Sequence, residues 1–320
     1  MTSERPRFAT RRTAGVLASA AVLGVTLAYI GPTDVLARLA HLSPLWLTAG
    51  LALSSAHFVL LGLRWAHWAR ALGVPLSLSA ALREYYLSAL LNQVLPFGVL
   101  GDGLRALRHV QSARASAGGA EPRLKTRVVL ALLCDRIGGQ LALWTLALAT
   151  LPLWLSWPAL AFKPPLFAVS LAIVLASLAL YAVLARSRWV TEVRAELGPL
   201  LRRLLAPREL VLHAGLSLTS VLLLIAVFCC CAGAARADLS PLRALCLVPW
   251  ILIAASVPGF FGGWGIRELT AVGVYALAGL DVEAAASISV VYGMLSLLSS
   301  LPGVLLLRGV RIPKADPARS

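Results

Sequence analysis

Two short segments of the chain place proline, glycine and arginine at matching offsets. The first reads Pro96-Phe97-Gly98-Val99-Leu100-Gly101-Asp102-Gly103-Leu104-Arg105, and the second Pro258-Gly259-Phe260-Phe261-Gly262-Gly263-Trp264-Gly265-Ile266-Arg267. Both fit P-x4-G-x-G-[LI]-R, 162 residues apart. Proline removes a backbone donor and breaks a helix. Glycines let the chain bend and let backbone approach a ligand closely. Freed N–H groups at a new helix start favour an anion, and an arginine two residues on supplies a bidentate partner for phosphate. The chemistry on offer is recognition of a phosphate-bearing headgroup. The plainer reading is a kinked hairpin whose arginine snorkels to an interface.

Other polar residues stand inside apolar stretches. Glu84, Ser88 and Asn92 fall at i, i+4 and i+8, so they share one helical face. Asp135-Arg136 lies within a long apolar run, where a charge costs about 2.5–3.5 kcal/mol at the bilayer centre and calls for a partner. The two charges either neutralise each other or Asp135 faces Arg105 or Arg267. Glu268 follows Arg267 and is either its partner or a proton carrier. Ser289, Tyr292, Ser296, Ser299 and Gly303 form a stripe on the last run, either polar lining or small residues for close packing. The substrate-binding candidates are Arg105, Arg267, Asn92, Gly101, Gly103, Gly263 and Gly265. Those for gating or charge balance are Asp102, Asp135, Arg136, Glu268 and Glu84. Arg64-Trp65 and Arg70 read as an inner-face anchor.

Enzyme chemistry finds little footing. There is no GxSxG elbow, HExxH or GxxxxGK[ST] motif, so neither catalysis nor ATP hydrolysis is expected. His41, His57, His67, His109 and His213 lack metal-ligand spacing, and no metal or cofactor is expected. Cys134, Cys229, Cys230, Cys231 and Cys246 sit in apolar runs as small hydrophobes.

The elements that must carry these residues follow from composition. Of 320 residues 59% are hydrophobic and 13% charged, with mean hydropathy +0.83, which excludes a soluble globular domain and a disordered chain. Apolar runs at Ala14–Ile30, Leu45–Leu63, Val128–Leu151, Leu166–Ala185, Leu210–Ala235 and Ala284–Leu307 suit membrane spans. The first reads as a retained anchor, because Tyr29-Ile30-Gly31-Pro32 makes a poor signal cleavage site. Two stretches are broken, Leu76–Leu100 and Leu242–Leu280. The net charge is +15. With the N-terminus inside, 22 cations fall in inside segments and four in outside ones. That is a positive-inside pattern with both termini cytoplasmic, not the footprint of a nucleic-acid binder. Basic segments flank Leu76–Leu100 on both sides, so it should enter and leave on one face as a re-entrant hairpin. Leu242–Leu280 is a second hairpin or two short spans. Trp154 and Trp157 read as an outer aromatic belt, and 186–209 as an amphipathic surface helix or a solvated loop.

The fold expected is an all-α polytopic membrane protein. It has six to eight transmembrane helices, one or two re-entrant Gly/Pro-broken segments and an inverted repeat. Residues 1–13 and 308–320 are basic cytoplasmic ends around one transmembrane domain, 14–307. Its half-repeats are about 45–152 and 210–307, with 186–209 as linker.

Arg64-Trp65, then Asn92, Leu95-Pro96, Gly101-Asp102 and Arg105, then Asp135-Arg136, then Pro258, Gly262-Gly263, Gly265 and Arg267-Glu268 follow one order along the chain. In this order the chain resembles the lysylphosphatidylglycerol synthase transmembrane-region (flippase-like) family, which includes the membrane half of the multiple peptide resistance factor. The resemblance covers about 14–307. It implies a translocase of a phospholipid or lipid-linked headgroup in the bacterial inner membrane. The 13 residues after the last run leave no room for the family's cytosolic synthase domain, so no synthase activity is expected. One departure concerns the last helix, where many members carry an arginine near this chain's Tyr292-Gly293. The expected partners are membrane lipids, an anionic phospholipid or a polyprenyl-phosphate-linked headgroup. No nucleic acid is expected, and self-association stays open. Two other readings are a non-transporting partner of a lipid-modifying or glycan-assembly enzyme and a small-solute secondary transporter.

Overall fold

The structure, a computed structural model, describes residues 20–26, 32–95, 100–116, 124–155, 198, 206–256 and 262–307. The run Leu166–Ala185, most of 186–209, Trp157, both termini, Pro96 and Pro258 lie outside the described residues. Residues 20–26 are helical. The helices after them are α1 (Pro32–Ala40), α2 (Pro44–Ala71), α3 (Leu78–Val94), α4 (Leu100–Ser116) and α5 (Leu124–Leu155). Then come α6 (Pro207–Ala234), α7 (Pro241–Ala255), α8 (Ile266–Leu277) and α9 (Val282–Ser300). A 3-10 turn, Leu301–Gly303, joins α9 to the short α10 (Val304–Leu307). Among the described residues there is no strand.

Local chemistry starts these helices where they start. Proline occupies the first turn of α2, α6 and α7, where its missing N–H costs nothing. Ser77 Oγ accepts from Ala80 N–H to cap α3, and Asp281 accepts from the Glu283 and Ala284 N–H groups to cap α9. Among the described residues, four helical stretches are long and apolar enough to cross a bilayer: Pro44–Ala71, Leu124–Trp154, Pro207–Ala234 and Val282–Leu307. The chain is an all-α polytopic membrane protein.

The broken segments form two helical hairpins. In the first, α3 and α4 run antiparallel: Asn92 and Ser88 reach Asp102, and one turn further out Glu84 meets Arg108. The second arm therefore continues beyond Leu100, through residues that the sequence places in a cytoplasmic loop. Asp102 in its first turn complements the helix dipole and lets the helix resume after the break. In the second, α7 and α8 pack on one another. With 15 and 12 residues they measure about 22 and 18 Å. Each is shorter than the roughly 30 Å of a hydrocarbon core.

The main core lies among α6, α7, α8 and α9, around Phe228, Leu247, Ile251 and Ile288. Two positions expected at membrane interfaces belong inside. Trp154 packs beside Trp250, which also meets Trp144, so it is no belt residue. Arg64 and Trp65 lie within α2, not after it, and are buried, because the helix runs on to Ala71 and turns Arg64 toward α5 and α6 and Trp65 toward α3 and α4. Arg70, by contrast, is exposed.

Candidate functional site

Buried charge concentrates in two clusters, one behind each hairpin. In the first, α5 contributes Asp135, α2 Arg64 and α4 Arg105. Arg64 Nε donates to Asp135 Oδ1 at 2.8 Å, Nη2 to the Asp135 carbonyl at 2.9 Å, and Nη1 to Ser217 of α6 at 3.2 Å. Arg105 Nη2 reaches Asp135 Oδ2 at 3.5 Å and Asp102 Oδ1 at 3.1 Å. The Asp102 carboxylate also accepts from Ser88 at 2.9 Å and Asn92 at 3.2 Å, and it meets Arg136. Asn92 Oδ1 receives the Gly101 N–H at 2.8 Å, a freed amide at the start of α4. Trp65 and Tyr85 lie against the Arg105 guanidinium, each ring centre 4.4 Å from it. Such contacts strengthen when desolvated, and Arg105 is only 1% exposed.

The second cluster is built on α8 and α9. Arg267 donates to Glu268 Oε1 from Nη2 at 2.6 Å and from Nε at 3.0 Å, and Nε also reaches Ser289 at 3.2 Å. Ser289 donates to the same carboxylate at 3.1 Å. The other oxygen, Glu268 Oε2, accepts the Gly265 N–H at 2.7 Å and so caps α8. Trp264 and Tyr292 lie 4.9 and 5.3 Å from the Arg267 guanidinium. Gly262, Gly263 and Gly265 all have positive φ, which makes the tight turn ahead of α8 possible.

The profile of the Lysylphosphatidylglycerol synthase TM region matches residues 12–303. The chain belongs to this family. No curated protein and no solved structure matches it.

The position where the family resemblance calls for another arginine explains itself in this member. A Cβ on Gly293 would collide with Arg267 Nη2 and the Trp264 ring, so the guanidinium from α8 already occupies that space. Among the described residues no hydrogen bond or ion pair joins the two clusters, but the hairpins touch. Gly262 packs directly on Gln93 at the end of α3, where an added Cβ would lie 3.3 Å from its Cα.

The candidate residues fall into three groups. Arg105, Asp102, Asp135, Asn92 and Gly101 assemble as one unit, and Arg267, Glu268, Gly263 and Gly265 as another. Asp135-Arg136 does not neutralise itself: Asp135 faces Arg64 and Arg105, while Arg136 turns to Asp102. Glu84 pairs with Arg108 at 2.8 Å, a half-exposed bridge between the hairpin arms rather than part of the buried cluster. Gly103 contacts nothing within 4 Å of where a side chain would begin and lies on the exposed face of α4. It does not accompany Gly101 in the cluster, so glycines at matching offsets in the two segments do different work. The α9 stripe divides. Ser289 and Tyr292 line the charged cluster, whereas Ser299 bonds its own helix backbone and Gly303 closes on the Tyr86 carbonyl. Arg64, Trp65, Tyr85, Ser217 and Trp264 escaped the sequence reading of the site. Only the Arg-Trp pair had a signal, its place in the family pattern.

Proposed function

We propose that the chain moves a phospholipid or lipid-linked headgroup across a bilayer without hydrolysing ATP itself. The observation that carries this reading is the state of Arg105. Its Nη2 serves two carboxylates, while Nε and Nη1 are buried with no hydrogen-bond partner among the described residues. Buried donors are seldom left unmet. A phosphate diester presents the same paired oxygens as a carboxylate and suits a guanidinium fork. At the seam between the hairpins, Gln93 Oε1 is likewise buried and unpartnered.

The carboxylates then act as latches. Asp102 and Asp135 hold Arg105, and Glu268 holds Arg267, while no headgroup is present. An arriving phosphate takes over part of each guanidinium, and the released carboxylate is free to move with its helix. The two glycine-broken hairpins would form the moving parts of an inverted repeat, with acyl chains remaining in lipid. In this reading the protein is a transporter and not an enzyme. It sits in a bacterial inner membrane with both termini cytoplasmic and has membrane lipids as its partners.

Reconstitution into liposomes with fluorescent anionic phospholipids tests this. The wild-type protein should scramble label well above the protein-free rate. Arg105→Gln and Arg267→Gln should fall back towards it while still giving a cooperative melt in detergent. Wild-type scrambling no faster than either variant would overturn the proposal and favour a non-transporting membrane partner.

A further inference from the structure

A third polar cluster lies where α2 meets the start of α6, one helical turn from Arg64 of the first arginine cluster. The two helices face one another through a ladder of polar contacts. His57 Nδ1 meets Ser220 Oγ at 3.4 Å, Arg64 bonds Ser217, and His67 Nε2 lies 2.7 Å from Glu209 Oε2. Glu209, His213 and Ser217 are spaced at i, i+4 and i+8, so one face of α6 carries all three. His213 Nε2 is 3.9 Å from Glu209 Oε2, and one ligand atom from each of His67, Glu209 and His213 lies within 4.8 Å of the others.

His213 is the informative member. It is 5% exposed, yet among the described residues neither ring nitrogen has a hydrogen-bond partner. Its ring is stacked on Trp68, with centroids 3.4 Å apart and planes 8° from parallel, which fixes the orientation of both nitrogens. The His67 ring stands edge-on to it at 4.8 Å. A buried imidazole held in place without a hydrogen-bond partner lacks something that accepts its lone pair.

We propose that His67, Glu209 and His213 bind a divalent transition-metal cation of the Zn2+ class, with water completing a tetrahedron. Two imidazoles and one carboxylate make a ligand set suited to this ion, and three protein ligands leave one position open. Tetrahedral coordination at about 2.0–2.1 Å sets the ligand atoms roughly 3.3 Å apart. The two histidine nitrogens lie 2.7 and 3.9 Å from Glu209 Oε2, on either side of that value, so small side-chain rotations bring them to it. His67 and Glu209 are part-exposed, with side chains 28% and 26% accessible, which gives the ion a route in. Bound there, the ion would tie α2 to α6 one turn from Arg64 and brace the helix that presents Arg64 to Asp135.

The test uses full-length protein purified without a histidine tag and stripped of metal. Titration with Co2+ should give one intense four-coordinate visible band per chain, displaced by Zn2+, and Zn2+ should raise the melting temperature. His213→Ala and His67→Ala should each weaken binding about tenfold or more and abolish the thermal shift, while His41→Ala, outside the cluster, keeps both. Should His213→Ala fail to fold, Glu209→Gln carries the test, since it keeps the bulk of a part-exposed side chain and removes a ligand charge. Absence of a saturable band, or equal affinity in all variants, would mean adventitious binding and overturn the proposal. Lipid scrambling does not enter these readouts, so the outcome is separate from that of the translocase reading.

Discussion

Asp135 answers two arginines from two different helices, and its position on α5 makes it the hinge of the buried charge. Removing it leaves Arg64 and Arg105 without their shared carboxylate in a water-poor interior, and stripping one partner from a buried ion pair costs about 3–5 kcal/mol. Arg136, its neighbour in sequence, has a 45% exposed side chain, and its partner Asp102 keeps Ser88, Asn92 and Arg105. Thermal melts in detergent should therefore separate adjacent positions: Asp135→Ala strongly lowers the melting temperature, while Arg136→Ala changes stability by less than about 1 kcal/mol. A comparable drop in both variants would show that Asp135 is not the shared counter-charge. The sequence exposed the cost of a charge at 135 and offered Arg105 among its partners, but gave no sign of Arg64. Arg64 stands 71 residues away, and only the packing of α2 on α5 brings the two into contact.

The hairpins set a second level of cause. Their helix breaks were readable, because proline and glycine act on the local backbone. How each glycine is used was not. Gly101 lies where a Cβ would run into the Ser88 carbonyl, with Asn92 Oδ1 only 2.7 Å away, whereas Gly103 has open space around it. Gly101→Ala should force the arms of the first hairpin apart at a cost of about 1–3 kcal/mol. Gly103→Ala should be neutral or stabilise α4 by up to about 1 kcal/mol through helix propensity. Melting curves of the two single variants check this, and equal loss in both would refute the close approach of α3 and α4. The second arm at 100–116 escaped the hydropathy pattern for a related reason. Its charges are spent on partners within the hairpin, Arg105 on Asp102 and Arg108 on Glu84, so a polar segment can stay helical beside the apolar spans.

At the scale of the whole molecule, the described connections around α1, α2 and α6 sort to two ends. Arg38 of α1 pairs with Asp281 at the start of α9 at 2.6 Å, and Ser43 N–H bonds the Ala234 carbonyl at the end of α6. The segments 32–44, 236–240 and 281 thus share one end. His67, Arg70 and Pro207 belong to the other, through the contact of His67 with Glu209. An impermeant maleimide should therefore label Thr33→Cys and Asp238→Cys from one side of a sealed membrane and Arg208→Cys from the other, the side that the positive-inside pattern predicts to be cytoplasmic. Labelling of all three from one side would contradict a membrane-crossing α6. The sequence alone determined the solvent, the helical class and the helix breaks, since hydropathy, cation bias and Pro/Gly chemistry act over one or two turns. Tertiary structure alone decided which carboxylate meets which guanidinium, that Arg64 and Trp65 face inward, and that His67 meets Glu209 and His213. Those choices depend on the rotation of each helix about its axis, which is fixed by packing between residues far apart in the chain and leaves no local mark in the order of the residues.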